Sequence, residues 1–258
     1  MKEKKFKRRM VKLEEERVEI RGELEEMVER LKQEEEKFFQ TEEMDSSFSY
    51  PPGRKIQPIK KQAAILSEKF PELNYEKGSL PALPDAAEGW LIFPNPLKNF
   101  SDYRSALKNA LSKLGSNRDF VCGREKELGK KYIKLSKRFE KLLIKEKIIT
   151  RGDFLLAPAQ IGLKYVGCSP RRARALFEDN EYGLGPFEIA IFLLTHSDWL
   201  TKETDIGIDC AGMRYGPYGH RRFKSILCFY FLDDKLLLND RWEGCPDTQF
   251  GTATAFSV

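Results

Sequence analysis

The sequence predicts an α+β protein: an N-terminal coiled-coil helix followed by a mixed domain with helices first and a mainly antiparallel C-terminal sheet. Three observations predict it. A heptad pattern runs through the first forty residues, helical periodicity dominates up to about residue 147, and apolar runs bounded by turn residues dominate from residue 206 onward. The domain plan is a helix over 1–45, a linker over 46–56 and a single α+β domain over 57–258.

The seam comes first. Phe6, Met10, Leu13, Arg17, Ile20, Leu24, Met27, Leu31, Glu34 and Phe38 are spaced alternately by four and three residues, and eight of the ten are apolar. Glu, Lys and Arg crowd the remaining positions. A seam of this kind cannot be buried by one helix alone, so it predicts a coiled-coil partner or a homo-oligomer. Arg17 and Glu34 are polar seam positions that bear on register and oligomer number. A basic head precedes the seam: Lys2, Lys4, Lys5, Lys7, Arg8, Arg9 and Lys12 against Glu3. It resembles a basic-zipper arm in charge alone, without the base-reading pattern.

Asp45-Ser46-Ser47 and Pro51-Pro52-Gly53 end the helix, which predicts the linker. Residues 58–70 then read as a short amphipathic helix, and Trp90 to Phe93 as a buried strand stopped by Pro94 and Pro96. A helix is expected over 99–114, with Ser101 as a capping residue and Gly115 at its C-cap. Another is expected over 124–147, with a stripe of Leu128, Tyr132, Leu135, Phe139, Leu142 and Leu143.

Charge is uneven along the chain. The formal net charge is +5, yet residues 98–151 carry 16 basic and 6 acidic side chains, a net of +10. Such an excess predicts either a polyanion-binding face or a solvated lysine surface. Lys130, Lys131, Lys134, Lys137 and Arg138 are its candidate contacts.

Residues 154–178 (FLLAPAQIGLKYVGCSPRRARALFE) resemble a helix-turn-helix. Ala159 to Val166 would form the first helix and Gly167 the turn. Ser169 would cap a second helix that begins with Pro170. Arg171, Arg172 and Arg174 would then lie in the first turns of a recognition helix, with Lys164 nearby. The small residue of that motif is displaced: Leu163 stands where it belongs, and Gly162 is one position earlier. This segment and the lysines predict DNA or RNA binding, with phosphate contact as the main role.

Asp209-Cys210-Ala211-Gly212 follows a short strand, and His196 and His220 flank it in sequence as the chain's two histidines. The four residues resemble the Asp-Cys-Ser-Gly nucleophile turn of NlpC/P60-type cysteine peptidases. That resemblance implies a Cys210 thiolate activated by a histidine. It departs from the family in that His220 lies only ten residues downstream and His196 lies upstream. The alternative is a buried thiol at a strand end, with His196 closing the C-terminus of an apolar helix over 187–194.

Strands are expected over 225–232 and 235–238, joined by Asp233-Asp234 as a hairpin turn, and over 252–258. Asp233, Asp234, Asp240 and Asp247 fit turn chemistry rather than a cation loop. The five cysteines, Cys122, Cys168, Cys210, Cys228 and Cys245, form no CxxC pair, so no zinc site is expected. Reduced thiols and a charged N-terminus without an apolar core predict a cytoplasmic protein that does not enter the membrane. Phosphate-loop, dinucleotide, metalloprotease and serine-elbow motifs do not occur, so no cofactor and no metal is expected. The combined expectation is a non-enzymatic, self-associating cytoplasmic protein that binds nucleic acid, or another polyanion, through basic helices. A scaffold acting through the coiled coil is the alternative reading, and a cysteine hydrolase the second.

Overall fold

The computed structural model describes residues 2–144, 148–217 and 223–258; within the first helix it describes the side chains of 14, 16–18, 20–34, 36, 37, 39 and 40. It contains two units, Met1–Glu42 and Glu43–Val258.

The first unit is one helix, α1 (Lys2–Gln40). Its described seam side chains face solvent: Ile20 is 64% exposed, Leu24 59%, Met27 57% and Leu31 58%.

The second unit is mixed α+β, and its strands enter much earlier than the helices-first expectation. The elements run α2 (Ile59–Lys69), β1 (Gly89–Pro94), α3 (Tyr103–Asn117), β2 (Phe120–Cys122), β3 (Ile133–Leu135), α4 (Lys137–Ile144), β4 (Ile149–Arg151) and β5 (Phe154–Ile161). They continue through α5 (Pro170–Leu176), β6 (Glu181–Gly183), α6 (Pro186–Thr195), β7 (Gly207–Asp209) and β8 (Met213–Tyr215). The last three are β9 (Ser225–Leu232), β10 (Lys235–Trp242) and β11 (Phe250–Phe256). The eleven strands among the described residues share one sheet, with the order β1-β5-β11-β7-β9-β10-β2 and β3, β4, β6 and β8 joined off that path. The sheet is mixed, because β10–β2 and β11–β7 are parallel while the other named pairs are antiparallel. Its pairing is mainly antiparallel, as expected, but it draws strands from the whole unit rather than from the C-terminal part alone.

Helix α6 is buried on every side, as its all-round apolar sequence demands. The Tyr103 hydroxyl of α3 donates to Glu188 Oε2 of α6 at 2.7 Å. Burial pushes that carboxyl up to about 7. Helix α2 closes the free edge of β1 through one side chain. The Gln62 amide donates to the Trp90 carbonyl at 2.7 Å and accepts from the Ile92 N–H at 3.2 Å, which satisfies two edge groups.

The hairpin expectation holds in detail. Asp233 and Asp234 have φ of 50° and 59°, the left-handed pair that a two-residue turn between right-twisted strands requires. Strand β10 runs on to Trp242, four residues past the expected end, because it pairs with β9 along its whole length.

Helical periodicity gives way where a segment finds a strand partner, because tertiary pairing overrides local propensity. Among the described residues of 124–147, the α-helix covers Lys137–Ile144; before it lie a 3-10 turn (Glu125–Glu127) and β3, which pairs with β8. Ser136, whose hydroxyl accepts from the Phe139 N–H, starts α4. In α3 the capping side chain is Asp102, which accepts from the Ser105 N–H at 2.8 Å, one residue after the expected Ser101. The helix also runs through Gly115 to Asn117.

Residues 46–56 have no regular secondary structure but are fastened to the domain rather than left as a free linker. The Arg54 guanidinium pairs with Asp205 at 2.6 Å and lies over the Trp199 ring. Tyr50 meets the same ring edge-on at 4.8 Å, and its hydroxyl accepts from the Leu163 N–H at 3.2 Å. Pro51 to Arg54 forms a turn, closed by the Arg54 N–H on the Pro51 carbonyl at 3.1 Å with Gly53 at φ +82°, and the polar anchors replace the ladder the strap lacks.

Candidate functional site

The helix-turn-helix expectation is corrected by the structure. Its first helix is absent: residues 154–161 form β5, buried along its full length between β1 on one side and β4 and β11 on the other. Only a 3-10 turn (Leu163–Tyr165) and α5 follow. Ser169 does cap α5, accepting from the Arg172 N–H at 3.0 Å, and Gly167 takes φ +88° as the turn requires. The motif fails because 154–161 supplies the interior strand that the sheet needs.

The α5 arginines are engaged within the protein. Arg174 pairs with Glu243 at 2.6 Å and donates to the carbonyls of Ala211 and Met213. Its side chain is 15% exposed. Arg172 pairs with Glu43. Arg171 lies over the Trp242 ring at 5.8 Å, and its backbone N–H bonds the Glu243 carbonyl. Lys164 is held between Glu178 and Glu181, each at 2.8 Å, and these carboxylates raise its pKa against the opposing effect of burial. Each of the four thus has a structural partner to surrender before it could bind phosphate.

The cysteine–histidine constellation is not assembled among the described residues. Cys210 is fully buried. Burial, with Cys228, Asp209 and Glu188 as electrostatic neighbours, pushes its thiol well above the usual range, opposite to what a nucleophile needs. His196 caps α6. Its Nε2 accepts from the Gln57 N–H at 2.7 Å, and its Nδ1 lies 3.0 Å from the Phe192 carbonyl. Burial holds this imidazole down, at about 4, so it is neutral and structural. His220 lies outside the described residues.

The lysine surface remains. Lys130 and Lys131 are exposed on the turn before β3, Lys134 on β3 and Lys137 at the start of α4. Lys131 lies 5.7 Å from the centroid of the Tyr132 ring. None of these four lysines forms an ion pair among the described residues. Arg138 is half-buried, donating to the Glu178 carbonyl and lying 5.5 Å from the centroid of the Tyr182 ring. One contributor was invisible in the sequence. In the β3–β8 register Lys134 stands directly opposite Arg214. Like charges in that position repel. Glu243, 3.1 Å from Arg214, offsets part of this, but it also serves Arg174. The strand pair therefore keeps a positive excess.

Among the described residues, no group of three His, Cys, Asp or Glu side chains is placed to hold a metal ion. No helix there is long and apolar enough to cross a membrane. No protein-family model, curated protein or solved structure matches the chain at a significant level.

Proposed function

We propose that this protein binds nucleic acid through the lysine face formed by the turn before β3, by β3 with β8, and by α4. The Lys134–Arg214 pair is the observation that carries the reading. Two like charges facing each other on neighbouring strands repel until a polyanion lies across them. Lys130, Lys131 and Lys137 extend the same sign along an exposed stretch. Their chemistry suits phosphate contact, which is sequence-independent, rather than base readout. The reading includes a cytoplasmic setting, consistent with five free thiols, and self-association through α1.

Fluorescence anisotropy with a labelled duplex and a labelled single strand tests it across a salt series. Micromolar binding at low salt is expected, weakening steeply as salt rises. Replacing Lys130, Lys131, Lys134 and Lys137 with Gln should lower the magnitude of the log–log salt slope by about 3 to 4, since each phosphate contact contributes about one unit. Lysines on an edge strand also oppose edge-to-edge pairing. If that is their whole role, the parent protein shows no binding at low salt, or the variant binds as the parent does, and the proposal fails.

A further inference from the structure

The self-association proposed above, on which this geometry rests, runs through the exposed stripe of α1. We infer that α1 pairs with a second copy of itself as a parallel, in-register, two-stranded coiled coil. An exposed apolar stripe calls for cover, and what selects this occupant is charge complementarity along both flanks.

The a positions are Met10, Arg17, Leu24, Leu31 and Phe38, and the d positions are Phe6, Leu13, Ile20, Met27 and Glu34. Ile20, Leu24, Met27 and Leu31 form four consecutive exposed layers. Val28, at an e position and 43% exposed, widens the stripe. The g positions are then Lys2, Arg9, Glu16, Glu23 and Arg30, and the e positions five residues further on are Lys7, Glu14, Arg21, Val28 and Glu35. In a parallel pair each g residue meets the partner's e residue five positions later. This gives Arg9–Glu14, Glu16–Arg21 and Arg30–Glu35, three attractive contacts that occur twice by symmetry. Glu23–Val28 is neutral and only Lys2–Lys7 opposes.

The fully overlapped antiparallel pair is poorer. It keeps Glu16–Arg30 and Lys7–Glu35 but sets Arg9 against Lys37, Glu23 against Glu23 and Arg21 against Arg21. Like charges at e and g positions select against such an arrangement. Arg17 at an a position argues for two strands. In a dimer its long side chain can reach solvent beside Glu16 of the second copy, whereas in a tetramer four guanidinium groups would share a closed core.

The test uses the full chain. Light scattering with sedimentation velocity at tens of micromolar should give twice the monomer mass. In a Cys245→Ser background, which removes the exposed native thiol, Leu31→Cys reports orientation under a glutathione redox buffer. A parallel pair brings the two introduced thiols together and yields a near-quantitative disulfide dimer. In the antiparallel pair position 31 meets position 13, leaving the two thiols about 27 Å apart along the helix axis. A charge swap supplies a second readout. Glu16→Arg alone should raise the dimer dissociation constant about tenfold, and adding Arg21→Glu should restore it to within about threefold. A monomer overturns both this geometry and self-association. A trimer or tetramer, absence of the disulfide, or failure of the swap to restore binding overturns the parallel two-stranded geometry and leaves self-association standing.

Discussion

Two clusters of positive charge in this molecule have opposite fates. Around α5, Lys164, Arg172 and Arg174 are each paired with carboxylates, and Arg174 also ties two backbone carbonyls. Around β3, four lysines stand exposed and without an ion pair among the described residues, and a fifth charge, Arg214, faces one of them. Two basic runs in the sequence thus conceal a structural cluster and a solvent-facing one. What separates them is whether the neighbouring strands bring acidic groups: β6 supplies Glu181 to the first cluster, whereas β8 supplies Arg214 to the second. A basic run is evidence for binding only after its counter-ions have been located.

The largest expected effect breaks the comparison on the α5 side. Arg174→Ala removes a buried partner from Glu243 and leaves two carbonyls unbonded, so it should destabilise the domain by about 3 kcal/mol in denaturant unfolding. Lys134→Ala on the other cluster should change stability by less than about 0.5 kcal/mol. Equal losses in the two variants would mean that the clusters are not distinct.

The next effect concerns His196, which holds the strap that crosses the domain through Gln57. Its pKa is depressed to about 4 in the fold, against about 6.5 unfolded. Below pH 6.5 the unfolded chain takes up a proton that the native imidazole refuses, so this residue's contribution to stability falls as pH falls from about 6.5 toward 4. The stability advantage of the parent over His196→Gln should therefore shrink by up to about 3 kcal/mol over that range. Taking the difference matters, because Glu88 and Glu188, both raised to about 7 by burial, titrate in the opposite sense in both proteins. A constant difference would show that the imidazole is not buried and neutral.

The smallest effect is chemical. Cys245 is exposed and Cys210 is fully buried with a raised pKa. Mass spectrometry after brief iodoacetamide treatment should find label on Cys245 while Cys210 stays unmodified. Fast labelling of Cys210 would revive the cysteine-nucleophile reading.

Legibility followed periodicity and turn chemistry. Helix α2, the apolar α6, β1, β9 and the Asp233-Asp234 turn could be read directly, since each carries a local signal: a stripe, an all-round apolar face, a bounded run or two residues suited to positive φ. Strand β5 could not. Its apolar sequence fits a helix or an interior strand equally well, and only its pairing with β1, β4 and β11 decides. The same holds for β3, which is part of a longer helical stripe in sequence and three strand residues in the fold.

By itself the sequence determined the heptad seam of α1, the +10 excess of residues 98–151 and the most apolar elements of the core. These are local properties, carried by residues that are neighbours along the chain. Only the tertiary structure decided which charges are paired within the domain and which lie exposed, that Cys210 is sealed away, that the strap of 46–56 is docked and that Lys134 faces Arg214. Those facts depend on side chains far apart in sequence, and burial or contact between them exists only once the sheet has set their register.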